Sequence, residues 1–215
     1  MNDTAPLIAS HGEHYSRRPH TESDLTARFI ARTLAAVMDF FFQERYCHRA
    51  VVLETIAAVP GMVGGLLQHL KSLRFIRDDE GRIQTLLDEA ENERMHLIIY
   101  SKLAEPTSLE RIFIMIVQFF FYHLYFLLYL CTPRTAHRVV GYFEEEAIKS
   151  YEHYLKLVQD GIHDNVKAPE LATEYWKLGS EARLTDMIKA TIIDEMNHRD
   201  VNHAFASDPE IKIWS

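Results

Sequence analysis

Twenty consecutive positions, Ile112 to Cys131, carry no Asp, Glu, Lys or Arg. As a helix rising 1.5 Å per residue, this run matches the roughly 30 Å hydrocarbon core of a bilayer. Gln118, His123 and the tyrosines Tyr122, Tyr125 and Tyr129 make it less oily than a typical span. Hydropathy alone leaves two readings open, contact with lipid or burial within a helical assembly.

The rest of the chain narrows the choice. From Leu25 onward apolar residues recur with the 3.6-residue period of helices. Gly makes up only 8 of 215 residues and no strand-like alternation is present, so an all-β fold is disfavoured. The pattern predicts an all-α protein of six helices, at about 25–44, 49–75, 82–104, 108–131, 135–160 and 184–206. The second helix carries Pro60, which should bend it, and Gly61, Gly64 and Gly65, which let a neighbour approach closely. Asp78 to Gly81 reads as a turn, and Pro106, Pro133 and Gly161 act as stops. The stretch 161–183 reads as irregular. Residues 1–23 read as a mobile tail before a single domain, 24–215. That tail mixes charges of both signs and lacks an apolar core, so neither a signal peptide nor a transit peptide is expected. A net charge of −8 argues against nucleic-acid binding. Cys47 and Cys131 form no CxxC pair, which excludes a disulfide scaffold and a thiolate zinc site.

The informative polar residues are Glu and His. Glu93-Arg-Met-His96 lies on the third helix and Glu195-Met-Asn-His198 on the sixth. At i,i+3 spacing both side chains of each pair share one face. In a chain with 19 Glu and 12 His that motif alone is weak. Two further acids strengthen it. Glu54 interrupts the apolar run Val51 to Val59, and Glu144-Glu-Glu146 follows Val139-Val-Gly-Tyr-Phe143. A carboxylate on an apolar face must be paired or bound to metal, since burying it free costs several kcal/mol. Four helices thus offer Glu, Glu-x-x-His, Glu and Glu-x-x-His in order, the pattern of ferritin-like four-helix bundles that hold two iron or manganese ions. Four carboxylates balance two divalent cations. Imidazole and oxygen donors with open positions suit iron or manganese better than structural zinc.

This site also bears on the apolar run. A single crossing at 112–131 would leave Glu54, Glu93 and His96 on one side of the membrane and Glu144, Glu195 and His198 on the other. The helix must therefore lie on the membrane or inside the protein. The first helix, with Phe40 to Phe42, is also apolar. Arg28, Arg32, Arg45, Arg49, Arg111, Arg134 and Arg138 flank the two segments, as expected for two helices lying on an anionic lipid surface. A homodimer interface would use the same apolar faces, and both can hold.

Four motifs in order carry a family resemblance. They are Leu53-Glu-Thr55 with Ala58-Val-Pro-Gly-Met-Val-Gly-Gly65, Glu89-Ala-Glu-Asn-Glu-Arg-Met-His96, Gly141-Tyr-Phe-Glu-Glu-Glu-Ala147 and Asp194-Glu-Met-Asn-His-Arg-Asp-Val-Asn-His203. From about 25 to 207 the chain resembles the alternative oxidases. The resemblance implies a monotopic, dimeric, di-iron helical protein that oxidises ubiquinol and reduces dioxygen to water without pumping protons, as a cyanide-resistant terminal oxidase. It implies iron ligands Glu54, Glu93, His96, Glu144, Glu195 and His198, and a redox-active Tyr151. Asn92, His137, Asp194 and Trp176 match the family's hydrogen-bond network around the metals. Arg49, Leu53, Glu146, Ala147 and Ser150 match its quinol pocket. Two positions depart from the family. Ala35 stands where many members carry Arg, with Arg32 one turn away. His48 stands where members regulated by 2-oxo acids carry Cys, with Cys47 beside it. Thiol regulation is accordingly not expected. The expected location is peripheral on an inner membrane, on the cytoplasmic face in a bacterium or the matrix side in a mitochondrion. Rival readings are a plastoquinol oxidase, a di-iron hydroxylase of a quinone precursor, ferritin-like iron storage and a non-catalytic scaffold.

Overall fold

The computed structural model describes residues 16–42 and 45–214. Seven α-helices are present among them: α1 (Glu22–Phe42), α2 (Tyr46–Phe75), α3 (Arg82–Ala104), α4 (Ser108–Cys131), α5 (Pro133–Gln159), α6 (Glu170–Tyr175) and α7 (Leu184–Phe205). A short 3-10 turn, Pro209–Ile211, follows. The described residues form no strand, only an isolated bridge between Lys167 and Arg183. The expected count of six helices is corrected to seven. The additional one is α6, a six-residue helix inside the stretch read as irregular, too short to show a period. Most of the expected tail, 1–15, lies outside the described residues. Of its remainder, Ser16 Oγ and the Arg17 amide donate to Glu145 at 2.5 and 2.8 Å.

Local chemistry sets the helix ends. Thr107 and Glu110 form a reciprocal capping box that starts α4. Pro133 occupies the first turn of α5, where its missing N–H costs nothing. α2 continues through Pro60 as one helix.

α2 packs along α3 and α5 along α7, while contacts of α2 with α5 and of α3 with α7 close the set. Small residues make this possible. A Cβ at Gly64 would lie 3.1 Å from Leu86 Cδ1 of α3. At Gly141, where α5 meets α7, a Cβ would sit 2.5 Å from the His203 ring. α1 covers α5, and α4 lies against α2 and α5.

Two helices, α2 and α4, are long and apolar enough to cross a membrane by length and composition. Their environments differ: 83% of the apolar window of α2 is buried, against 17% for α4. The apolarity of α2 is therefore core. Only Tyr125 and Tyr129 of α4 are buried, while Phe119, Phe120 and Leu124 face outward. α1 shows the same split, with Ala27, Ala31 and Ala35 buried and Phe29, Phe40 and Phe41 exposed. Two of the flanking arginines do not face outward. Arg138 is buried, its Nε 2.7 Å from Asp24 Oδ1. Arg49 is buried and paired with Asp39.

Gly141→Ala should lower stability by about 1–3 kcal/mol, the usual cost of overpacking a tight contact. Gly179→Ala, where a Cβ meets nothing within 4 Å, should leave it near wild type. Thermal denaturation of the two variants checks both.

Candidate metal centre

α2, α3, α5 and α7 each turn a carboxylate inward. Glu54, Glu93, Glu144 and Glu195 are all buried, with at most 2% of their surface exposed. Donor atoms of Glu54, Glu93, His96 and Glu195 lie within 4.8 Å of one another. His96 Nδ1 is 3.3 Å from Glu54, 3.4 Å from Glu195 and 3.7 Å from Glu93. His198 Nδ1 lies 2.6 Å from Glu93 Oε1 and 3.5 Å from Glu195 Oε2. Glu144, on α5, is buried outside that group of four; burial, then the charges of Glu195 and Glu93, push its carboxyl well above the usual range.

The donor atoms crowd one another without hydrogen-bond geometry. Glu54 Oε2, both Glu93 oxygens, His96 Nδ1, Glu195 Oε2 and His198 Nδ1 are buried with no hydrogen-bond partner. Orphaned buried polar atoms are rare and call for an explanation. Here they are all potential electron-pair donors converging on one volume, which fits one or more cations. The electrostatics agree. Burial, reinforced by Glu93 and Glu195, raises Glu54 well above its ordinary value. Burial opposes charge on both imidazoles, yet the surrounding carboxylates hold His96 and His198 well above theirs. Without cations the cluster balances its charge by keeping protons, and metal would replace them.

The atoms behind the donors are ordered. Asp194 Oδ2 lies 3.0 Å from His96 Nε2 and accepts from Asn92 Nδ2 at 3.0 Å and Trp176 Nε1 at 2.8 Å. Asn92 also donates to Tyr175 Oη at 2.7 Å. An Nε2–H held by Asp194 leaves the Nδ1 lone pair aimed at the carboxylates, the arrangement that orients a ligating histidine. Tyr151 Oη donates to Glu54.

His137 lies apart from that network. Its Nε2 is 2.8 Å from Tyr129 Oη and its Nδ1 2.8 Å from Asn202 Oδ1. Asn202 Nδ2 in turn donates to both oxygens of Glu89, at 3.0 and 2.9 Å. Gln68 donates to Tyr129 Oη and to the Ile211 carbonyl, each at 3.2 Å. The sequence pattern alone assigns no role to Glu89 or Asn202. Their signal is positional, since Glu89 is one turn before Glu93 and Asn202 one turn after His198, on the same faces.

The residues expected around a quinol are more scattered. Leu53 and Ala147 are buried and Ser150 half-buried. Arg49 is held by Asp39, and Glu146 is 3.8 Å from Arg32 and 2.8 Å from Lys149. An apolar cavity of about 100 Å³ lies nearby, bounded by Met38, Val52, Ile56, Phe113 and Phe143.

The model of the family described as alternative oxidase matches residues 9–207. The chain belongs to the alternative oxidase family. It is 51% identical over 205 residues to a mitochondrial ubiquinol oxidase of Batrachochytrium dendrobatidis, covering 95% of this chain and 65% of that protein. Over 194 residues it is 50% identical to a mitochondrial ubiquinol oxidase of Mangifera indica, covering 90% and 61%. Over 190 residues it is 52% identical to the mitochondrial ubiquinol oxidase 1a of Oryza sativa subsp. japonica, covering 88% and 57%. The chain thus spans about three-fifths of the length of these relatives. Within this alternative oxidase chain, all four motifs that carried the resemblance lie on helices lining the cluster, α2, α3, α5 and α7.

Burial brings the His137 imidazole down to about 4, with the Arg138 charge acting in the same sense. Its folded value lies below the ordinary 6.5, so the stability it contributes is present above pH 6.5 and is lost as pH falls from there through 4. The full effect is about 3 kcal/mol. Burial raises Glu89 to about 7, so its contribution runs the other way and fades as pH rises from 4.5 to 7. Denaturant titrations at pH 7 and pH 4.5 should show a smaller acid loss for His137→Gln than for the parent. Equal losses would show that His137 does not titrate in this way.

Proposed function

We propose that this chain is a non-proton-pumping ubiquinol oxidase that reduces dioxygen to water at a di-iron centre, in a ferritin-like bundle of α2, α3, α5 and α7. The observation that carries this reading is the convergence of unbonded Glu and His donor atoms in a buried volume, with the Tyr151 hydroxyl on one of the carboxylates. Glu54, Glu93, His96, Glu144, Glu195 and His198 would hold two iron ions. When bound, the iron supplies dioxygen binding and electron transfer.

The chain's own residues do the rest. Asp194 fixes the His96 ring through Nε2. Tyr151 can pass its phenolic proton to Glu54 as it gives up an electron, so the two move together without leaving a buried charge. Enclosure by Val51, Ile99, Ile148 and Ile192 excludes bulk water and keeps partly reduced oxygen from escaping. Arg49, Leu53, Glu146, Ala147 and Ser150 would receive the quinol, arriving laterally between α1 and α4. The exposed apolar faces of those two helices suit a peripheral position on an inner membrane, with part of the surface taken by a second copy in a homodimer. The names of the relatives, mitochondrial ubiquinol oxidases, support both substrate and location.

Oxygen uptake by membranes carrying the chain, with ubiquinol as donor and cyanide blocking haem oxidases, tests the activity. Uptake should persist in cyanide and vanish in Glu195→Ala and His198→Ala, together with bound iron. Tyr151→Phe should keep its iron and lose at least tenfold in turnover. Full iron with no uptake in the parent would point instead to a di-iron hydroxylase.

A further inference from the structure

A line of oxidisable side chains leads away from the centre. Tyr151, on Glu54, stacks on Tyr100 with ring centroids 5.6 Å apart and planes at 28°. Tyr100, Tyr151 and Tyr154 are buried together in one core cluster. Tyr154 Oη lies 3.3 Å from Cys47 Sγ. Its ring also stacks on Tyr46, 4.7 Å between centroids and nearly parallel at 8°. Cys47 and Tyr46 open α2 and are half-buried, so the line reaches the surface. The function proposed above uses Tyr151 only. A core needs no such file of a phenol, two more phenols and a thiol, because leucine would fill the same space without polar atoms.

We propose that Tyr100, Tyr154 and Cys47 form an exit route for oxidising equivalents from Tyr151, with Cys47 as the site of one-electron oxidation and small-molecule thiols as the terminal donors. The route rests on the oxidase reading. It operates when dioxygen is reduced faster than quinol arrives, leaving Tyr151 short of one electron and its phenolic proton on Glu54. One electron then passes from the Cys47 sulfur through the Tyr154 and Tyr100 rings to Tyr151. Tyr151 recovers its proton from Glu54. The Cys47 S–H bond breaks and its proton leaves to water at the helix end. Tyr100 and Tyr154 finish unchanged. A small thiol donates a hydrogen atom to the Cys47 thiyl radical, restores S–H and leaves as a thiyl radical, two of which combine to a disulfide. Burial pushes the Cys47 thiol up, so it stays protonated and is a poor nucleophile at neutral pH, although it can still give up a hydrogen atom.

The test uses the iron-loaded, membrane-bound protein exposed to dioxygen without quinol and with a nitrone spin trap, the covalent adducts being mapped by peptide mass spectrometry. Cys131, exposed on α4 and outside the line, is the internal control. Adducts are expected on Cys47, at least fivefold above Cys131, and should fall to the Cys131 level in Tyr151→Phe and in Tyr154→Phe. Tyr154→Phe keeps the ring and removes only the hydroxyl that touches Cys47, and its iron content and helical circular dichroism verify the fold. An unlabelled Cys47, equal labelling of both cysteines, or labelling unchanged in both variants overturns the route. Iron content and quinol-dependent uptake in the same preparation separate the two failures. If both are present and Cys47 is unlabelled, the route fails alone; if both are absent, the oxidase reading fails and takes the route with it.

Discussion

Three buried carboxylates, Glu54, Glu93 and Glu195, converge on one volume, and the helical packing is built around that demand. An isolated buried carboxylate would cost several kcal/mol, and several together repel one another as well. No Lys or Arg reaches Glu54, Glu93 or Glu195 in an ion pair among the described residues, and the near counter-groups are two imidazoles. The chain sets this arrangement inside an apolar sleeve whose glycines bring α2 against α3 and α5 against α7. The helices must approach closely for their inward carboxylates to face one another, and the polar centre can form only if the sleeve forms.

Around the centre the polar groups divide into separate sets. Asp194 gathers His96, Asn92 and Trp176 on one side, and Tyr175 is tied in through Asn92. On another side, Glu89, Asn202, His137, Tyr129 and Gln68 run in sequence to the Ile211 carbonyl, next to the 3-10 turn. A third set joins Asp24, Arg138, His203, Glu145 and the residues Ser16 and Arg17. The first two are anchored one residue or one turn from Glu93, His96, Glu195 or His198, so secondary structure carries their order to the donors.

Much of this was legible in the sequence. The bounds of α3 and α4 agree with their predicted ranges because Pro106 and the Thr107–Glu110 box leave no freedom in where one helix ends and the next begins. The inward faces of Glu93 and His96, and of Glu195 and His198, follow from i,i+3 spacing alone. α6 escaped because six residues after Pro169 show no period. His137 matched a family position, yet its partners Tyr129 and Asn202 come from α4 and α7, and no local pattern announces a contact across three helices. Arg138 and Arg49 looked like surface cations because a lone arginine beside an apolar segment carries no mark of the distant Asp24 or the nearer Asp39 that binds it.

The contrast between α2 and α4 has a consequence for biosynthesis. A translocon samples nascent segments by hydrophobicity before any bundle exists, and both helices pass that threshold by length and composition. Only α2 carries, within its apolar stretch, a carboxylate whose ionised form opposes transfer into hydrocarbon by a few kcal/mol. Were the nascent helix offered to a bilayer, an ionised Glu54 would bias it away from the lipid interior; in the folded chain the same carboxylate lies in the buried cluster. A mutation to an apolar residue there would remove a donor from the cluster and, at the same time, that penalty on entering lipid.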